Sequence, residues 1–270
     1  MARICLRSGN GQCVKYVGNF RSLLKYIIIN LLVMADSNSI IISQSWGGLG
    51  DNLQFTTLPE LYSQLGCKVF ISTKNSVRNQ EIYDLVWKLN PFISGTSDLE
   101  PNAGECVPYQ NKGIDFITAW EINHGLYNGF RKYPVIYYKP KLIPELTNCI
   151  LYDSTSTSVN PPDALIKPSF EAVFNRYPNT PVKKLQFVNF KNRELPYFNH
   201  EKYMINSIYD LCDAIYSCKA LICLLSGASV LATAIKQDNP TPDIYTFHEA
   251  KYNTWTCYKF KNNIHLEFLR

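Results

Sequence analysis

Short β-branched runs, each followed by apolar residues at helical spacing, recur along the chain from residue 39 to residue 247. Residues 39–43 (SIIIS) have the composition of a buried strand. They run into the glycine-bearing loop 46–52 (WGGLGDN) and then an apolar, periodic stretch over 53–65. Strand, glycine loop and helix in that order form the opening unit of a doubly wound sheet. Residues 67–72 predict the next strand. The spacing of Ile82, Leu85, Val86 and Leu89 predicts an amphipathic helix over 77–89, ended by Asn90 and Pro91. A third strand is expected at 92–94, a loop over 99–112, a strand at 114–119, a helix over 121–130 and a strand at 135–138. Prolines 140 and 144 mark 138–146 as a crossover linker.

The second half repeats the theme. Strands are expected at 149–152, 185–190, 220–225 and 243–247, and helices at 170–177, 204–216 and 230–236. The Ser/Thr-rich stretch 153–160 and the small-residue turn 226–229 fall between them. This alternation predicts an α/β protein with parallel sheets. The proline-marked break divides it into two Rossmann-like units, 39–145 and 146–270, with a ligand cleft between.

Composition adds bounds. A chain of 270 residues that is 46% hydrophobic can bury a sizeable core. Its formal charge is +5, but Arg3, Arg7, Lys15, Arg21 and Lys25 supply all of it, because residues 1–35 hold no acid. The body is charge-balanced and carries no signature of a nucleic-acid-binding face. The nine cysteines are odd in number and never spaced C-x-x-C, and several sit in apolar runs, which reads as buried thiols in a reducing compartment. No zinc or metal-protease spacing occurs, so no metal ligand is assigned.

Residues 1–38 form a basic and apolar extension, expected to be poorly packed. Its apolar run at 26–35 is shorter than the roughly 18 to 20 residues of a membrane span. A secretory signal cleaved after Ala35, an organelle presequence, and sequence lying ahead of a start at Met34 all fit, and the last is favoured. Met34 as the start implies a cytoplasmic protein with at most peripheral membrane contact.

Four constellations carry candidate chemistry. In the first, Gly48 and Gly50 allow close backbone approach, and Asp51 stands at a helix start. There it is either an N-terminal cap or a general base. In the second, Ser226, Gly227, Ala228 and Ser229 join a buried strand to a helix, where first-turn N–H groups can hold a phosphate. They serve equally as a tight connection. In the third, Ser154, Thr155 and Ser156 offer hydroxyls to phosphate oxygens or to solvent. In the fourth, Glu121 and His124 lie just past an expected strand, at the edge where such sheets bind ligands, and the start of a surface helix explains them equally.

These residues together resemble the heptosyltransferase-like glycosyltransferases, the family of the ADP-heptose:lipopolysaccharide heptosyltransferases. The family's first strand is followed by G-x-G-D and a helix with a Leu-Pro pair. Here Gly48-Leu49-Gly50-Asp51 precedes Leu58-Pro59. The family's D-S-G-x-x-H-L-A-A-A-L block is matched by Leu225-Ser226-Gly227-Ala228-Ser229-Val230-Leu231-Ala232-Thr233-Ala234-Ile235. Leu89-Asn90-Pro91 matches its Leu-Asn-Pro punctuation. The family's Asp and His are replaced by Leu225 and Val230.

The resemblance implies a GT-B fold, two Rossmann-like domains facing across a cleft. It implies a metal-independent inverting transfer, with no cofactor, from a nucleotide-diphosphate sugar to a hydroxyl of a glycan or glycolipid. Asp51 would be the base. Ser154, Thr155, Ser156 and 226–229 would bind the donor. Trp46, Gly48, Gly50, Asn52, Glu121 and His124 would line the acceptor side. Two other readings remain: a non-catalytic nucleotide-sugar-binding relative, and a dinucleotide- or S-adenosylmethionine-binding enzyme. The latter lacks the third spaced glycine and the ribose-binding acid.

Overall fold

The computed structural model describes residues 39–103, 115–127, 133–156, 161–189, 192–248 and 260–268, and the backbone of two strands before them. Those two, β1 (Arg3–Arg7) and β2 (Cys13–Val17), pair antiparallel in a sheet of their own. The elements that follow are β3 (Ser39–Ile42), α1 (Leu49–Leu53), α2 (Leu58–Gln64), β4 (Lys68–Ser72), α3 (Gln80–Tyr83), β5 (Ile93–Ser97) and α4 (Phe116–Asn123). After the linker come β6 (Ile150–Asp153), α5 (Asp163–Phe174), β7 (Val182–Phe187), β8 (Glu201–Ile205), α6 (Ile208–Ser217), β9 (Ala220–Leu224), α7 (Gly227–Lys236), β10 (Asp243–His248) and β11 (Ile264–Glu267).

Two parallel sheets result. The first has the order β3-β4-β5. Its outer strand β3 is sealed by Asn102, whose side chain accepts from Ile41 N at 2.7 Å and donates to Ser39 O at 2.9 Å. The second has the order β11-β10-β9-β6-β7-β8, all parallel. Numbered from β6, this is the 3-2-1-4-5-6 order of a doubly wound dinucleotide-type sheet, and the strand order reverses between β6 and β9.

Burial follows the strand period of two. Ile150, Tyr152, Ala220, Ile222 and Leu224 face one apolar cluster, covered by Ile166, Phe170 and Val173 of α5. Leu151, Leu221 and Cys223 face the other, covered by α6 and α7. That second cluster continues without a break into Ile40, Ile42, Val69, Ile71 and Trp87 around the three-stranded sheet. A strand buried on both faces has no polar side, which is why 220–224 reads as an unbroken apolar run.

The linker is tied down. Tyr138 Oη donates to Asp213 Oδ1 at 3.0 Å, Lys141 N donates to the same oxygen at 2.8 Å, and Ile143 N donates to Ser217 Oγ at 2.7 Å. Among the described residues no helix is long and apolar enough to cross a membrane. Cys149, Cys212, Cys218 and Cys223 are buried free thiols and Cys67 is partly buried.

Several sequence expectations need correction. Residues 116–119 are helical rather than a strand. Asp115 caps α4 by accepting from Thr118 N at 2.8 Å and Thr118 Oγ1 at 2.9 Å, which outweighs the β-leaning composition. Residues 135–138 are extended but join no ladder, since Val135 N bonds to Thr56 Oγ1 at 2.8 Å. The stretch 53–65 holds the end of α1 and all of α2, with Pro59 in the first turn of the second helix. The helix over 77–89 is shorter, capped by Asn79, and finishes in a π turn over Asp84–Lys88. The helix expected over 204–216 is preceded by the unforeseen strand β8, and β11 was likewise unforeseen. The ends of the expected segments 99–112, 121–130 and 153–160 lie partly outside the described residues.

Candidate functional site

The reversal of strand order between β6 and β9 leaves a crevice at the carboxyl ends of those strands, where open α/β sheets bind ligands. A cavity of about 220 Å³ lies there. One wall carries Asp153, Thr155 and Ser156 after β6, and Ser226, Gly227 and Ala228 at the start of α7. Facing them, from the side of the three-stranded sheet, are Leu49, Arg78, Asn79, Glu81 and Ile82. Phe187, Ile205, Ile208 and Leu211 add apolar surface, and Asn189, Asn206 and Ser207 add polar groups at the ends of β7 and β8.

Asp153 is buried, and its Oδ1 accepts from Thr155 N at 2.8 Å. Burial pushes its carboxyl up to about 6, against the opposing pull of the Thr155 hydrogen bonds and the nearby Lys184 charge. Lys184 is itself buried and paired with Glu194 Oε2 at 2.9 Å. Ser156 Oγ donates to Leu225 O at 3.2 Å, tying the loop after β6 to the end of β9. Ser226 caps α7, yet its Oγ is buried without a hydrogen-bond partner among the described residues.

Of the donor-side residues expected from sequence, Thr155, Ser156, Ser226, Gly227 and Ala228 meet on the cavity wall. Two do not line it. Ser154 is buried, with Oγ donating to Arg193 O at 3.3 Å. Ser229 is buried and serves the helix start, donating to Ser226 O at 2.7 Å and accepting from Ser226 N at 3.3 Å.

The two glycine motifs touch each other. A Cβ on Gly50 would lie 3.2 Å from Gly227 Cα and 3.2 Å from Val230 Cγ2. A Cβ on Gly227 would lie 3.1 Å from Gly50 N. These glycines let α1 and α7 pack end to end, so the close approach that the sequence assigns to a ligand is here between two helices.

On the acceptor side, Asp51 is half-buried. Its Oδ2 accepts from Gly48 N at 3.2 Å, the capping geometry. A Cβ on Gly48 would sit 2.6 Å from that oxygen, so glycine is needed for the contact. Burial raises the Asp51 carboxyl above its ordinary range, while the Gly48 bond and the Arg78 charge oppose the rise. Asn52 is fully buried and staples the loop: Nδ2 donates to Gly48 O at 2.9 Å and Trp46 O at 3.3 Å, and Oδ1 accepts from Trp87 Nε1 at 2.8 Å. Trp46 is 36% exposed, with its ring 6.0 Å from Phe116 and 6.2 Å from Trp120. His124 is buried with Nδ1 2.7 Å from Tyr62 Oη, and Glu121 is fully buried. None of these six residues lines the cavity.

Among the described residues, Arg78, Glu81 and Asp153 are the charged residues of the cavity, and the sequence assigns a role to none of them. Only Asp153, an acid ending an apolar strand, carried a local signal. Among the described residues no group of three or more His, Cys, Asp or Glu is arranged to hold a metal.

No protein-family model and no curated protein matches the sequence. Solved structures do. The iron-containing dodecameric glycosyltransferase TibC of enterotoxigenic E. coli is similar over 86% of this chain, with a TM-score of 0.60 and 14% identity. The chain spans 62% of the length of that structure. TibC in complex with ADP-D-beta-D-heptose is similar over 98% of this chain and 67% of its own, with a TM-score of 0.57 and 13% identity. The glycosyl transferase family 9 protein of Veillonella parvula is similar over 85% of each chain, with a TM-score of 0.55 and 9% identity. At such identities the likeness is one of fold, and the chain has the fold shared by the heptosyltransferase TibC and the family 9 glycosyltransferase.

Proposed function

We propose that the chain is a glycosyltransferase of the GT-B kind, transferring a sugar from a nucleotide-diphosphate donor to a hydroxyl of a glycan or glycolipid. The observation that carries the reading is the meeting of two remote segments, Thr155–Ser156 and Ser226–Ala228, on one cavity at the switch point of a 3-2-1-4-5-6 sheet. Neither segment is a site alone. Together they offer hydroxyls and the first-turn amides of a ten-residue helix to an anionic group. TibC, of similar fold, was solved with ADP-D-beta-D-heptose.

In this reading residues 39–145 form the acceptor-side domain and 146–270 the donor-side domain, and the protein works in the cytoplasm or at a membrane surface. Asp51 takes the proton of the acceptor hydroxyl as that oxygen attacks the anomeric carbon. The configuration inverts and the nucleoside diphosphate leaves. A carboxyl raised by burial is a better base than a free one. The leaving diphosphate is met by hydroxyls and amides rather than by a metal. The sequence has no D-x-D pair to hold one, although TibC contains iron.

A second reading, a non-catalytic nucleotide-sugar binder, is favoured by one observation. Val230, in the place of the family's His, is buried and packs toward Gly50.

Thermal unfolding of the full chain against UDP, GDP, ADP, CMP, NAD and S-adenosylmethionine tests both. A ligand at about a hundred times its dissociation constant adds roughly 2.7 kcal/mol. Stabilisation by one nucleoside diphosphate supports the glycosyltransferase, and a shift with NAD or S-adenosylmethionine alone overturns it. Asp51→Asn then separates the readings. In an enzyme it abolishes hydrolysis of the matching nucleotide sugar and leaves nucleotide binding in place. A non-catalytic binder hydrolyses nothing in either form.

A further inference from the structure

Among the described residues, the cavity wall carries two carboxylates, Glu81 and Asp153, and a single cation, Arg78. A nucleoside diphosphate entering this space brings about three negative charges, so it needs a counter-charge that the hydroxyls of Thr155, Ser156 and Ser226 cannot supply. Both carboxylates are already held by the protein. Glu81 Oε2 accepts from Ile208 N at 3.3 Å, and Asp153 Oδ1 accepts from Thr155 N at 2.8 Å. Lys184, the other cation near Asp153, is committed to Glu194 and does not line the cavity.

Arg78 is differently placed. Its main chain is fixed, with N donating to Gly47 O at 2.8 Å. The loop before it is anchored by Gln44, whose Nε2 donates to Ser76 O at 2.9 Å. The side chain itself is exposed, and its guanidinium makes no ion pair among the described residues. A fixed stem with a planar fork that makes no ion pair among the described residues, although its charge reaches Asp51, suits phosphate recognition, because guanidinium donates two parallel hydrogen bonds to phosphate oxygens. Across the cavity the buried Ser226 Oγ has no hydrogen-bond partner among the described residues.

We propose that Arg78, although it belongs to the three-stranded sheet's side, is the cation that binds the donor's diphosphate, which is thereby gripped from both walls. This rests on the glycosyltransferase reading and deepens it. The donor does not bind one half and wait for the acceptor half to close; its phosphates engage both sides from the start.

The test is calorimetric titration of the full chain with UDP, GDP and ADP, each beside its own nucleoside, for the native protein, Arg78→Gln and Arg78→Lys. Arg78→Gln is expected to weaken the bound diphosphate roughly tenfold or more, the loss of one charge-assisted contact. Its nucleoside affinity stays unchanged. Arg78→Lys, which keeps the charge and loses the fork, falls between. The dependence of diphosphate affinity on salt flattens in Arg78→Gln. Equal diphosphate affinity in native and Arg78→Gln proteins overturns the proposal. So does an equal loss for nucleoside and diphosphate, which marks a change in cavity shape. If the native chain binds none of the three diphosphates, the glycosyltransferase reading falls and takes this one with it, a failure visible without any variant.

Discussion

Replacing Gly50 by alanine probes the place where the two glycine motifs meet. The added Cβ would lie 3.2 Å from both Gly227 Cα and Val230 Cγ2, and 3.6 Å from Gly227 N. Two of the three are backbone atoms, which cannot rotate away as a side chain tip can. Overpacking of this kind costs about 1–3 kcal/mol. Alanine regains part of that through helix propensity, at most about 1 kcal/mol and less near a helix end. The net expectation is a loss of about 1–2 kcal/mol, or a thermal midpoint lower by roughly 2–8 °C. Val230→Ala removes one of the two closest contacts. It costs stability alone, because Val230 is fully buried. Combined with Gly50→Ala, it should recover about 0.5 kcal/mol or more relative to the sum of the single changes. Urea unfolding of the four proteins measures the cycle. A Gly50→Ala protein as stable as the native one, with no coupling to residue 230, would refute the end-to-end packing of α1 on α7.

Two further changes are predicted from the site. Asp153 has its folded pKa raised from 3.8 to about 6, so the folded state holds the proton more tightly than the unfolded chain. Its contribution to stability is full below about pH 4 and lost as pH rises through about 6, a fall of roughly 3 kcal/mol. Asp153→Asn should flatten the pH 4 to pH 6.5 profile of urea midpoints, and a slope equal to the native one would contradict the assignment. Asn52→Ala removes the partners of Trp46 O and Trp87 Nε1, while Gly48 O keeps its bond from Asn52 N. At about 1–3 kcal/mol for each orphaned group, the variant should lose about 2–4 kcal/mol in denaturant titration.

The parts of this molecule that could be read from sequence are those where local pattern and burial agree. Residues 40–42 and 220–224 are apolar throughout because they are covered by packed elements, so an isolated run suffices to place them. The edge strand β8, EKYMI, is mostly exposed, Met204 at 49% included, and nothing local separates it from a loop. α4 was misread because Phe116 and Ile117 lean toward strand, whereas its identity rests on one capping pair, Asp115 with Thr118. The site divides in the same way. Thr155, Ser156 and 226–228, which the fold brings onto one cavity, each follow a strand that the sequence makes recognisable. Arg78 was invisible because its relevance depends on the loop after β4 facing the ends of β6 and β9, a property of assembly and not of spacing. Glu121 and His124 show the converse, polar residues with suggestive chemistry that the fold places away from the cavity.

The unbroken apolar cluster running from Ile42 and Trp87 to Leu151 and Leu221 has a bearing on how the protein loses its structure. Two sheets that share a core share a melting transition, because exposing one face strips the cover from the other. Amide exchange in β4 and in β9 should therefore report the same opening free energy, and neither sheet should survive as a stable remnant at intermediate denaturant.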